Sequence, residues 1–270
     1  PWGAGRPGWH LECSAMSMKY LGKTFDIHTG GVDNMFPHHE DEIAQSEAAN
    51  GCKFVNYWLH CEHLTIDNKK MSKSLGNFYT LRDLLNKGYT GAEVRWALIG
   101  THYRSKLNFS LGLLDQARTT LRKFSDFFQR LRDLEKGSAG KETAQALAAQ
   151  ANKDFSAGMA NDLGIAEALA AVFTLERAVN SALTKKEFQS EAGEVILEQF
   201  RRFNKILGSL DVDAPAVQEE IPAEIMALAE ARTAARKAKD FAKADALRDQ
   251  LKAAGWIVED TPNGIKVKKA

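Results

Sequence analysis

Three lysines and two serines fall within six residues at Lys69-Lys70-Met71-Ser72-Lys73-Ser74, with Asn68 before them and Leu75-Gly76-Asn77 after. Ammonium groups and hydroxyls are what phosphate oxygens need, and a loop can bring several of them to one polyanion. A lysine-rich, solvated turn has the same composition, so the cluster alone says only that a phosphate could bind here. Cys13, His38 and Glu42 form a second set, offering sulfur, nitrogen and oxygen donors that suit zinc. His38 and Glu42 stand four apart and would project from one face of a helix. By composition alone His39, His10 and Cys52 are equally admissible ligands, Cys13 could be a small core residue, and His38-Glu42 could be a surface pair. Asp33 follows the turn Gly30-Gly31, where a carboxylate either accepts from ribose hydroxyls or caps a turn.

These groups need a frame. Phe25 and Ile27 alternate with polar neighbours, which predicts a short strand ahead of Gly30-Gly31. The carboxyl ends of strands are where an open α/β sheet binds ligands. Pro37 fits a first helical turn, with a helix from His38 to Ala48. One or two strands between Val55 and Ile66 then lead into the lysine loop. Strands separated by a helix predict part of a parallel, Rossmann-type sheet over residues 1–77. Short helices at Leu81–Lys87 and Ala92–Ile99 make a connecting segment, 78–110.

Beyond Leu111 helical periodicity dominates. Leu114, Ala117, Leu121, Phe124, Phe128 and Leu131 build one apolar stripe at spacings of three and four. With further helices near 142–157, 163–182 and 187–208, residues 111–210 read as a bundle. Residues 211–222 read as a linker. A small α+β domain over 222–270 follows, with two helices broken near Lys239-Asp240. A hairpin turns at Thr261-Pro262-Asn263-Gly264, where Asn-Gly supplies positive φ. The expected fold is thus α/β, then mostly α.

Net charge is +1, from 36 basic and 35 acidic side chains among 270 residues. Any nucleic-acid surface is therefore local. Residues 231–270 carry 10 basic and 5 acidic groups, and such a surface is expected there. Three cysteines without framework spacing point to a reducing compartment, the cytoplasm. No run of about 18 apolar residues suggests a spanning helix or a membrane partner.

The string Lys70-Met71-Ser72-Lys73-Ser74 resembles the KMSKS signature of class I aminoacyl-tRNA synthetases. Gly8-Trp9-His10-Leu11-Glu12-Cys13-Ser14-Ala15-Met16 is similar to a zinc-cysteine segment of cysteinyl-tRNA synthetases. Phe25 to Asp33 and Phe36 to Glu42 resemble the segment that follows it. Tyr57-Trp58, His102-Tyr103-Arg104-Ser105, Leu107-Asn108-Phe109-Ser110 and Ala244 to Asp249 extend the likeness over nearly the whole chain. It is weakest at 137–220, where Asn161-Asp162-Leu163-Gly164-Ile165 replaces the family's acidic-Phe-Asn-Thr-Pro stretch.

The resemblance implies ATP-dependent activation of cysteine and its transfer to the tRNA for cysteine. Zinc would be held by Cys13, His38 and Glu42, with a further cysteine from an earlier part of the family's sequence. Metal–thiolate bonding would tell cysteine from serine, which pocket shape does poorly. Trp9 would wall the substrate pocket, or serve as a core aromatic, and His10 would join the histidines around it. Lys70 and Lys73 would act on ATP and its magnesium, with Gly31 and Asp33 on the nucleotide. Arg236, Asp245, Arg248 and Asp260 would read tRNA. The segment with the HIGH motif, the partner of KMSKS, is expected in a missing N-terminal half. The chain alone is then an inactive part of an enzyme that is monomeric when complete. Rival readings are the cysteine ligase of mycothiol synthesis and a non-catalytic zinc- or RNA-binding fragment.

Overall fold

The computed structural model describes residues 3–214, 221–238, 240–261 and 264–269, except for the side chains of Lys73, Lys237, Glu259, Asp260, Thr261, Lys266, Lys268 and Lys269. The contacts gather into two units, residues 1–214 and 215–270.

In the first unit the predicted strand is β1, Phe25–Gly31. It pairs in parallel with β2, Val55–Cys61, with Ile27 opposite Tyr57 and Gly31 opposite Cys61. Helix α1, His10–Leu21, precedes β1, and α2, Glu40–Asn50, connects the two strands. A buried hydrogen bond from Ser46 Oγ to Ser14 Oγ (2.9 Å) links the two helices. The helix expected from His38 starts two residues later. Phe36, the residue before Pro37, is extended (φ −131°, ψ 132°), as a residue preceding proline prefers. Met35–His39 form a π turn that leads into α2, whose first turn carries Glu40, Asp41 and Glu42 near the positive end of its dipole. His38 therefore lies in a π turn that is continuous with the α-helix bearing Glu42.

Strand β3, Leu64–Ile66, turns into β4, Lys69–Lys70, through Asp67 (φ 49°) and Asn68 (φ 61°), the paired positive φ of a tight hairpin. On its other side β3 runs parallel to β5, Leu107–Phe109. At two and three residues, β4 and β5 are too short to show a period. Between them lie α3, Leu81–Asn86, and α4, Gly91–Ile99. Each starts with a capping box, Thr80 with Asp83 and Thr90 with Glu93.

Four helices follow: α5, Leu111–Arg132; α6, Lys141–Ala160; α7, Ile165–Thr184; and α8, Ser190–Leu207. The stripe on α5 is buried apart from half-buried Leu121. Phe124, Phe127 and Phe128 of α5 pack with Phe200 of α8 at ring separations of 5.1 to 5.8 Å, and Phe155 of α6 stacks on Phe203 of α8 at 4.6 Å. Burying each such ring contributes about 1.5–3 kcal/mol. Asp162, in the α6–α7 turn, ties this bundle to the loop before β5. Its carboxylate accepts from Arg104 Nε at 2.6 Å and from the Tyr103 hydroxyl at 2.5 Å.

The second unit holds α9, Ala223–Lys237; α10, Phe241–Ala253; and antiparallel β6, Trp256–Thr261, with β7, Gly264–Lys269. Ile225, Ala229, Leu251, Trp256 and Val267 form its core. Residues 262 and 263 of the predicted turn lie outside the described residues. The fold is thus α/β with a small parallel sheet, then predominantly helical, ending in a small α+β unit.

Candidate functional site

Glu42 is only 3% exposed, although it sits on the acidic first turn of α2. Its Oε2 lies 2.7 Å from Nε2 of His28, which β1 presents. Cys13, from α1, is its other neighbour. Burial, then the charge and hydrogen bond of Glu42, push the Cys13 thiol above its ordinary value. His39, also buried, sits with its Nδ1 2.8 Å from His60 Nε2 on β2. Burial first, then neighbouring His28, lower the His39 imidazole. The donor atoms of His28, His39 and Glu42 all lie within 4.8 Å of one another. Trp58 fixes these rings from one side, stacking on His28 at 4.5 Å and on His60 at 6.2 Å. Gly30 makes room for them, because a Cβ there would fall 2.5 Å from His39 Cε1.

The expected zinc trio is therefore divided. Cys13 and Glu42 interact, but neither Cys13 nor His38 is among the three residues whose donor atoms converge, and His38 accepts a hydrogen bond on Nδ1 from Trp9 Nε1 at 2.9 Å. His10 stands beside this pair, its ring 6.2 Å from that of His38 and its Nε2 3.6 Å from Asp41 Oδ2. Its Nδ1 is buried without a hydrogen-bond partner. A buried carboxylate flanked by a thiol and an imidazole, next to an unsatisfied imidazole nitrogen, matches the donor chemistry of zinc, and the residues present fit that ion. His28 and His60 were not singled out from sequence, and His39 was admitted as a ligand by composition alone. The available signal was His28 two residues before the glycine turn, on a strand that must end at the ligand side.

At the carboxyl ends of the two parallel strands, exposed Asp33 follows Gly31 and its Oδ1 is 4.0 Å from His63 Nε2, just past β2. Lys70 is exposed on β4, opposite Thr65. Lys73 begins a short 3-10 turn, Lys73–Leu75, and its side chain is outside the described set. In the second unit, Arg236 from α9 and Asp245 and Arg248 from α10 line one hollow of about 220 Å³ together with Arg232, Phe241 and Ala244. Arg248 Nη1 is 2.9 Å from Asp245 Oδ1. Phe241 keeps 62% of its surface exposed at the rim. Asp260 pairs with Ile265 in the hairpin, and its side chain is likewise not described.

Family comparisons bear on the whole chain. Residues 1–119 match the model of the class I (C) tRNA synthetase catalytic domain, 154–211 the DALR domain, and 218–267 the cysteinyl-tRNA ligase anticodon binding domain. The cysteine–tRNA ligase of Protochlamydia amoebophila is 46% identical over 269 residues, and that of Brachyspira hyodysenteriae 47% over 274, each across 100% of this chain. The chain belongs to the cysteinyl-tRNA ligase family. It spans 56% of the length of the first of these ligases and 57% of the second. Among solved structures, the ternary complex of Agrobacterium radiobacter K84 agnB2 LeuRS with tRNA and LeuAMS is similar at a TM-score of 0.55. The match covers 68% of this chain and 26% of that one, at 18% identity, a likeness of fold. Among the described residues of this family member, no helix is long and apolar enough to cross a membrane.

Proposed function

We propose that the chain takes part in ATP-dependent activation of cysteine and its transfer to the tRNA for cysteine. The observation that carries this reading is Glu42, buried at 3% exposure between the Cys13 thiol and His28. A site for a soft metal is the means by which a protein separates a thiol from an isosteric hydroxyl. Zinc held by Cys13, Glu42 and an imidazole would supply a Lewis acid selective for the substrate thiolate. Trp9 and His10 border that site and would wall and orient the substrate.

On the nucleotide side, Asp33 and the backbone of Gly31 would accept and donate to the ribose, and Lys70 and Lys73 would face the phosphates. Two fixed ammonium groups would favour the charge that develops on pyrophosphate as the amino-acid carboxylate attacks the α-phosphorus. Magnesium would accompany the phosphates. The hollow bearing Arg236 and Arg248 would take tRNA phosphate and an unstacked base, with Phe241 as a stacking face and Asp245 and Asp260 as acceptors for base donors.

We further propose that residues 1–77 complete their sheet with polypeptide from the preceding part of such a ligase. Nine of the nineteen large exposed apolar side chains among the described residues lie between Trp9 and Tyr57. A two-stranded parallel pair needs covered faces. We assign residues 1–77 to the catalytic domain, 78–110 to a connector, 111–210 to a bundle along the tRNA stem and 222–270 to anticodon binding, in a cytoplasmic enzyme that works as a monomer.

The test is a mobility shift of the tRNA for cysteine at about 50 and about 200 mM salt. Retardation by the chain should weaken steeply with salt, and Arg236→Ala with Arg248→Ala should lower the salt slope by about 2. No retardation, or an unchanged slope, refutes the tRNA arm. Cysteine-dependent ATP–pyrophosphate exchange, with serine as control, measures the activation arm when the chain is mixed with the N-terminal part of a related ligase.

A further inference from the structure

Asn77 carries neither charge nor nucleophile, yet its carboxamide closes the lysine loop. Its Oδ1 accepts from the Ser72 backbone N–H at 2.9 Å, and its Nδ2 donates to the Lys70 carbonyl at 3.1 Å. These two bonds straddle Met71, whose half-buried side chain packs on the apolar core of the first unit. Inside the loop, the Leu75 N–H donates to Ser72 Oγ at 3.2 Å, and Ser72 Oγ lies 3.1 Å from Ser74 Oγ. Gly76 (φ 66°) reverses the chain after the 3-10 turn and lets Asn77 reach back across it. A residue with a β-carbon adopts that φ only at a cost. At the loop's base, Asn108 Oδ1 on β5 accepts from the Asn68 N–H at 2.7 Å and fixes the β3–β4 turn.

We infer that Asn77 is a positioning residue: its carboxamide holds residues 70–77 in the one conformation that offers the loop's lysines and serine hydroxyls to a triphosphate. This rests on the ATP-binding reading proposed above. Three lysines within six residues have no cohesion of their own, and ordering such a segment costs conformational entropy. If the loop is not already closed, that cost appears as a weaker apparent affinity, in proportion to the closed fraction. A side-chain amide that satisfies a backbone donor and a backbone acceptor on the two sides of Met71 keeps the closed fraction high before the ligand arrives.

Trypsin, which cuts after Lys69, Lys70 and Lys73, reads that fraction. Native digestion of the chain, Asn77→Ala and Asn77→Asp, alone and then mixed with the N-terminal part of a related ligase with and without ATP, forms the test. Aspartate keeps the acceptor for Ser72 and loses the donor to Lys70. Cleavage within the loop should be roughly tenfold faster in Asn77→Ala and intermediate in Asn77→Asp, with other cuts and the thermal midpoint unchanged. ATP should slow the loop cuts, and the half-protecting concentration should rise by about the same tenfold factor in Asn77→Ala. A purely structural role would not couple the two numbers. Equal loop cleavage in all three chains overturns the inference, as does ATP protection of equal strength in the parent and Asn77→Ala. A parent loop that ATP does not protect overturns the nucleotide reading itself, and this inference with it.

Discussion

Glutamine at position 42 separates metal binding from folding. The substitution keeps the shape of the side chain and removes its charge. In the chain without metal, an amide can still hydrogen bond with the His28 nitrogen that Glu42 meets at 2.7 Å. Parent and Glu42→Gln should then differ by no more than about 1 kcal/mol. Zinc changes the comparison. A ligand that binds only the folded state at a hundred times its dissociation constant stabilises by about 2.7 kcal/mol. For a cooperative unit of 214 residues this corresponds to a rise of roughly 5–10 °C in melting temperature. The assay is thermal unfolding of metal-stripped protein in buffered zinc, with metal content measured on the same samples. The parent should show the rise and one bound zinc per chain, and Glu42→Gln should show neither. A parent indifferent to zinc, or a Glu42→Gln chain that gains as much, refutes the reasoning. The same assay on His28→Ala, His39→Ala and His38→Ala decides which imidazole completes the donor set. Loss in His38→Ala alone supports the trio expected from sequence. Loss in His28→Ala and His39→Ala supports the group within 4.8 Å.

Gly30→Ala should drive His39 from its place, since the added carbon would sit 2.5 Å from the ring. Overpacking of this kind costs about 1–3 kcal/mol, and disturbing a neighbour of the ligands should weaken zinc about 10- to 100-fold; unchanged zinc affinity by competition with a chelator would contradict it. Asp162 should give an acid signature. Its hydrogen bond from Arg104, then that from Tyr103, hold its carboxyl below the ordinary value. A depressed value in the folded state means a contribution fully present above about pH 4, the unfolded value, and lost as pH falls through the folded one. Asp162→Asn should therefore lower the urea midpoint at neutral pH, with the gap to the parent narrowing below about pH 4; a gap constant with pH would refute this.

Features that depend on a long repeat were legible in the sequence. The α5 stripe needs only the helical period, and five of its six residues are buried in an aromatic and aliphatic core just as spacing requires, with Leu121 half-buried at its edge. Asp245 and Arg248 pair at the i, i+3 distance of a helix, whereas Arg236 joins them only because the break near Asp240 folds α10 against α9. The donor set was legible in its residue types and not in its pairing. Extended Phe36 makes Pro37 the first residue with helical backbone, as a first-turn proline requires, but Met35–His39 are wound as a π turn, and there His38 meets Trp9 instead of the donors around Glu42. The Asn77 bridge has no local signature, since both its partners are backbone groups placed by a turn around Gly76.

Apart from Phe54 and Val55, which are fully buried, the first sixty residues invert the usual arrangement of a folded chain. Ser14, His39, Glu42 and Ser46 are buried, while Leu11, Met16, Tyr20, Ile27, Phe36 and Tyr57 are exposed. Burying polar groups without partners is costly, and here the most deeply buried side chains are paired, Ser14 with Ser46, His39 with His60 and Glu42 with His28, while His10 Nδ1 and Gln45 Nε2 are left without a partner. Such an interior is held by directional bonds more than by apolar contact, and its geometry is set by the partners rather than by volume. That suits a coordination site, where donors must converge on a point. It also explains why the apolar side chains face outward. The α1 and β1–β2 surfaces carry the hydrophobic area that this interior does not use, and covering them with further strands would dry the donor cluster. In the drier, lower-dielectric surroundings each donor would hold a cation more strongly, so the covering of the outer face and the selectivity of the inner one are two parts of one physical argument.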